Sequence, residues 1–159
     1  MNIYISLSDG IKRLPDVVTD RLDSIMGRDH GIIIHDKLGS NELIKAYLDK
    51  SDYYNITLYC YDEEVDFEPK YPVIGVENSN RSVHDELDSV TIRLVNDADY
   101  GFAVWSLCDN DVLLIISRMI LCDKSVLVYA VHAQKFYTID SFTSLISMVV
   151  DSSKCLGEW

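Results

Sequence analysis

The sequence predicts an α/β fold, a single Rossmann-like domain whose mostly parallel sheet carries helices on both faces. Three observations lead there. Continuous apolar runs of strand length occur at Ile32 to Ile34 and Tyr100 to Trp105, as in strands covered on both sides. Stretches with apolar residues at helical spacing lie between such runs. The order is strand then helix, repeated, with no internal repeat and no linker to divide the chain. A chain of 159 residues with 48% apolar content suits one well-buried domain, taken here as residues 1–159.

The elements follow in order. Asn2 to Ser6 reads as a short strand carrying Ile3 and Ile5. Pro15 fits the first position of a helix, where its missing N–H costs nothing. Val17, Val18, Leu22, Ile25 and Met26 then mark that helix's inner face. After the strand at Ile32 to Ile34, Asp36 to Gly39 makes a turn and Ser40 is an N-cap candidate. Leu43, Ile44, Tyr47 and Leu48 form the inner face of a second helix, and Ile56 to Tyr61 is the third strand. From Asp62 to about residue 82 no period stands out and Pro69 and Pro72 interrupt, so a long acidic loop or insertion is expected. Val83, Leu87, Val90, Leu94 and Val95 give a third helix, which leads into the strand Tyr100 to Trp105. A polar turn at Ser106 to Asp111 precedes an apolar helix from Val112 to Leu121, and Val126 to Val131 is the returning strand. Phe136 to Ile139 is short and extended. Asp140 or Ser141 caps a last helix carrying Phe142, Leu145, Ile146, Val149 and Val150.

Composition narrows the function classes. The net charge of −12 argues against nucleic-acid binding, which rests on lysines and arginines neutralising phosphates. No run of about eighteen apolar residues is present, and Met1 to Tyr4 does not open a signal peptide, so a cytoplasmic protein without membrane contact is expected. Cys60, Cys108, Cys122 and Cys155 lack any C-x-x-C spacing and read as reduced thiols. His30, His35, His84 and His132 show no metal-ligand spacing, so no metal and no cofactor are expected.

Certain turns and strands form a familiar series: Ile5-Ser6-Leu7-Ser8-Asp9, His35-Asp36-Lys37-Leu38-Gly39-Ser40-Asn41 and Ile56-Thr57-Leu58-Tyr59-Cys60. Further on come Asp97-Ala98-Asp99-Tyr100-Gly101 with Trp105, then Asp109-Asn110-Asp111-Val112, then Lys124-Ser125-Val126-Leu127-Val128-Tyr129. By order and spacing the chain resembles small bacterial members of the SLOG superfamily. That Rossmann-like group includes the DNA-processing protein A and the LOG-type nucleoside-monophosphate phosphoribohydrolases. The resemblance implies the same architecture and a ligand site at the carboxyl ends of the strands.

The departures fall at those strand ends. Leu7 stands where the pattern has a glycine that lets a phosphate approach a helix N-terminus. Asp9 replaces an arginine, turning attraction for phosphate into repulsion. His35 replaces the first glycine of the second turn, Asn41 its last acid, and Asp111-Val112 a Gly-Thr pair, while Asp36, Gly39 and Ser40 are kept. The site reads as degenerate. What remains for a ligand is Ser8, Asp36, Gly39 and Ser40.

Each candidate has an ordinary counterpart. Asp36 with Ser8 fits a ribose, yet an Asp after a strand commonly caps the next helix. His35 beside Asp36 fits a general base, yet a histidine at a strand end is commonly structural. Cys108 has no neighbouring base in the sequence, and Trp105 and Tyr100 fit the core better than a base stack. The segment Asp62, Glu63, Glu64, Val65, Asp66, Phe67, Glu68, with Tyr71 nearby, mixes acids and apolar anchors in a way that suits docking on a basic protein. The expected function is therefore a non-catalytic protein-binding member of a nucleotide-binding-like fold, an immunity protein that neutralises a toxin or an accessory subunit. A homo-oligomer is compatible with it. The rival expectation is a diverged sensor of nucleotide-derived ligands, or a hydrolase of N-glycosidic bonds, using Ser8, His35, Asp36 and Asp111.

Overall fold

A computed structural model describes residues 1–36, 41–65, 69–78 and 87–156. The chain runs β1 (Asn2–Leu7), α1 (Asp16–Gly27), β2 (Gly31–His35), α2 (Asn41–Lys50), β3 (Ile56–Tyr61), a 3₁₀ turn (Asp62–Glu64) and β4 (Val73–Val76). It continues with α3 (Ser89–Asp97), β5 (Tyr100–Trp105), α4 (Asn110–Leu121), β6 (Val126–Ala130), β7 (Lys135–Ile139) and α5 (Phe142–Lys154). The seven strands form one sheet in the order β4-β3-β2-β1-β5-β6-β7. Every pairing is parallel except β6 with β7. The fold class is the one the sequence predicts.

Strand alternation builds a core on each face. Ile3, Ile5, Ile32 and Ile34 point one way, and α1 and α2 cover them with Val18, Leu22, Ile44 and Leu48. Tyr4, Ile33, Trp105 and Val128 point the other way, under α3, α4 and α5, which contribute Leu94, Ile116 and Met148. Isoleucine and valine dominate because a strand buried on both faces has no polar side to present.

Several sequence expectations are corrected. Residues 62–82 are not simply a loop, since Val73–Val76 adds an edge strand parallel to β3. Four residues with a glycine among them are too short to show a period. Pro15 is the N-cap of α1 rather than its first residue, and Val17 is exposed. Helix α4 begins at Asn110, because Asp109 caps it by accepting the Asp111 N–H. Helix α3 begins at Ser89 with Asp88 as its cap, so Leu87 precedes it, and Val83 lies outside the described residues. The expected cap Ser40 also lies outside them. In α5, Leu145 and Met148 face the core while Phe142, Ile146 and Val150 are exposed.

Candidate functional site

β1 and β5 are neighbours from which the chain departs to opposite faces, α1 on one and α4 on the other. Ligands of open α/β sheets bind at the crevice such a divergence leaves at the strands' carboxyl ends. In this chain the two turns are fastened across it. The Ser106 N–H donates to Ser8 Oγ at 3.0 Å, and the Ser8 N–H donates to the Val104 carbonyl at 2.9 Å. The Asp9 N–H donates to Asp109 Oδ2 at 3.1 Å, and Asp109 Oδ1 accepts the Asp111 N–H at 2.8 Å. Trp105 Nε1 donates to the Asp109 carbonyl at 3.0 Å, which fixes that turn from below. A helix N-terminus attracts anions through its unpaired N–H groups. At α4 the anion is the chain's own Asp109 carboxylate.

The crevice that remains has a volume of about 30 Å³ and is lined by Leu7, Asp9, His35, Asp109 and Asp111 among others. That is room for a water molecule or two, far below the several hundred Å³ of a small-molecule pocket. Three carboxylates around it oppose a phosphate further.

Beneath the crevice lies a buried polar cluster. His35 Nε2 stands 3.5 Å from Asp88 Oδ2, an ion-pair distance too long for a well-formed hydrogen bond. Among the described residues neither ring nitrogen of His35 has a hydrogen-bond partner. The His35 carbonyl accepts from Asn41 Nδ2 at 3.0 Å, and Asp88 Oδ1 accepts the Thr91 N–H at 2.7 Å. Burial works against ionisation of Asp88. The His35 ring and the Thr91 N–H outweigh it and hold the carboxyl well below the usual carboxylate range. Burial, with the Asp88 charge added, pushes the Tyr4 phenol far up, against a smaller pull from the Thr91 hydroxyl.

The sequence-derived candidates separate in space. His35 and Asp111 line the crevice. Ser8 is fully buried beside it with its oxygen engaged by Ser106. Asp36 lies on the other face, since successive strand residues alternate, and its carboxylate accepts from Lys45 Nζ at 2.7 Å. Burial lowers the Lys45 pKa, but Asp36, and more weakly Glu42, raise it above the ordinary value. Asp36 opens on a charged cleft of about 290 Å³ with Lys45, Asp49 and Lys70. The carboxylate beside the His35 ring is that of Asp88, not that of its sequence neighbour Asp36. Gly39 and Ser40 lie outside the described residues.

In the acidic segment, Asp62, Glu63 and Glu64 form the exposed 3₁₀ turn beside edge strand β4, and Val65 is exposed after it. Asn78 Nδ2 donates to Glu63 Oε1 at 3.4 Å. Asp66, Phe67 and Glu68 lie outside the described residues. Tyr71 is not an exposed anchor: it is buried, with its hydroxyl donating to Asp49.

Sequence reasoning missed Asp88 and Asp109. Both are helix N-caps, and the signal for each is an Asp ahead of a helical stretch. Among the described residues no group of three or more His, Cys, Asp or Glu side chains is placed to hold a metal, and no helix is long and apolar enough to cross a membrane. Comparison of the chain with family models, with curated proteins and with solved structures found no match.

Proposed function

We propose that the protein is a non-catalytic binding protein on a Rossmann-like scaffold, a degenerate SLOG-type branch that works by contact with a basic protein. A toxin that it neutralises, or the larger subunit of a complex, is the partner of this reading. The observation that supports it best is the seat at the N-terminus of α4: Asp109 occupies it, and the crevice around it keeps about 30 Å³. A scaffold that fills its own anion site with a carboxylate has exchanged ligand binding for rigidity at that point. The net charge of −12 and the exposed acids Asp62, Glu63 and Glu64 supply steering toward a basic surface.

The test is native mass spectrometry of the protein taken from its own cells at low salt. A stoichiometric basic polypeptide is expected, released by high salt and lost when Asp62, Glu63 and Glu64 are all changed to Lys. A protein that emerges alone at low salt would remove the proposal.

One observation favours the rival reading, a sensor or N-glycosidic hydrolase for nucleotide-derived ligands. The buried His35 ring lines the crevice with Asp111 and has Asp88 beside it, and neither of its ring nitrogens has a hydrogen-bond partner among the described residues. Thermal-shift measurements with nucleotides, nucleosides and NAD discriminate, since a ligand at a hundred times its Kd stabilises by about 2.7 kcal/mol. No shift at millimolar ligand excludes the rival.

A further inference from the structure

At the amino ends of the strands, opposite the crevice, the sheet face shared with α1 leaves a hollow of about 260 Å³. Its floor is apolar: Phe102 is fully buried there, and Tyr100 and Leu127 are partly buried beside it. Arg21 and Arg28 from α1 and its C-cap line the rim with His30. The two arginines are seven residues apart, which places them on one face of the helix two turns from each other.

The charge around this hollow runs against the rest of the molecule. The chain carries 26 acidic residues against 14 lysines and arginines, yet the hollow is lined by Arg21, Arg28 and His30 and, among the described residues, by no aspartate or glutamate. Lys45 pairs with Asp36, Lys70 with Asp49 and Arg93 with Asp97. Neither Arg21 nor Arg28 forms an ion pair with a carboxylate of the described residues. Arg21 instead lies over the Phe136 ring, 5.6 Å from its centroid, which holds the guanidinium at the hollow's edge. Its charge also reaches the Tyr100 phenol, where burial raises the pKa and Arg21 opposes the rise.

From this placement we infer a binding site for a small amphipathic carboxylate, its apolar body on Phe102, Tyr100 and Leu127 and its anionic head between Arg21 and Arg28. The volume falls just below the usual range for small-molecule pockets, which limits the ligand to about the size of a medium-chain or single-ring acid. Guanidinium groups suit a carboxylate because their paired N–H donors match its two oxygens. The inference is independent of the protein-partner reading, since it concerns the other end of the sheet.

Octanoate and 3-phenylpropanoate are the probes, followed by amide chemical-shift mapping and by calorimetry on the full chain. Shifts are expected at Arg28, His30, Tyr100 and Leu127, and whichever probe binds tighter identifies the ligand as aliphatic or aromatic. Octylamine, with the same apolar body and opposite charge, is expected to leave those amides unmoved. The exposed substitutions Arg21→Gln and Arg28→Gln together are expected to weaken the acid by about tenfold or more. Ser24→Phe, which fills the hollow from α1, is expected to abolish binding with folding verified by the unchanged remainder of the spectrum. The inference is overturned if neither acid moves those amides, if octylamine binds equally well, if the double variant binds as the parent does, or if the shifts fall on residues 142–156 instead.

Discussion

Ser8 and Ser106 are joined across the sheet's point of divergence: the Ser106 N–H donates to Ser8 Oγ at 3.0 Å, and Ser8 is fully buried. This bond ties the carboxyl end of β1 to that of β5 at the place where a ligand would otherwise enter. A serine that reads as a ribose contact in the sequence is, in the fold, a fastener. Ser8→Ala removes the acceptor and leaves the Ser106 N–H without it, which costs about 1–3 kcal/mol. The change is expected as a lower urea midpoint with an unaltered slope. An unchanged midpoint would show that the bond contributes nothing.

Asp88 gives a pH-dependent stability whose sign follows from its lowered pKa. A carboxyl that ionises more readily folded than unfolded stabilises the fold above the unfolded value, near 3.9, and loses that contribution as pH falls toward the folded value. Asp88→Asn keeps an oxygen to cap α3 at the Thr91 N–H but removes the charge that faces His35. Its penalty in urea unfolding is therefore expected to be largest above about pH 5 and to shrink below about pH 4. A penalty that stays constant from pH 7 to pH 3, or grows with acid, contradicts the assignment.

The sequence carries the parts of this fold that are local. Ile32 to Ile34 and Tyr100 to Trp105 are strands because β-branched and aromatic runs suit burial on both faces, and both lie where the sequence places them. β4 escaped because Val73–Val76 holds a glycine and lies at the sheet edge, where none of its residues is buried as most of those in β3 are. The pairing of His35 with Asp88 was illegible for another reason. It depends on α3 crossing the sheet to set its N-cap over β2, and no spacing between two distant residues encodes a crossover. The neighbour in sequence, Asp36, points to the opposite face by the same alternation that made the strand recognisable.

Gly101 in β5 tests how closely α4 sits on the sheet. A Cβ there would stand 3.0 and 3.1 Å from the two methyl groups of Val126 and 3.2 Å from Met119 Cε. Gly101→Ala is therefore expected to destabilise by about 1–3 kcal/mol, as added volume does in a filled core. Pairing it with Val126→Ala gives the clash room, so the double variant is expected to be more stable than the sum of the single effects predicts. Strict additivity would place the crowding elsewhere.

α5 separates pattern from burial. Its sequence carries a wide apolar arc that includes Phe142, Leu145, Ile146, Val149 and Val150, too wide to show by itself which part is buried. In the fold Ser141 and Ser144 close a reciprocal N-terminal cap, which sets the helix so that Met148 is fully buried and Ile146 is 62% exposed. Met148→Ala is expected to cost about 2–5 kcal/mol, from lost transfer energy and the cavity left behind. Ile146→Gln is expected to fall within about 0.5 kcal/mol of the parent, because the side chain gives up little buried area. Chemical denaturation of the two variants side by side decides between the rotations. Comparable losses for both would mean that Ile146 is covered in solution, and a loss for Ile146→Gln that grows with protein concentration would identify the cover as a second copy of the chain.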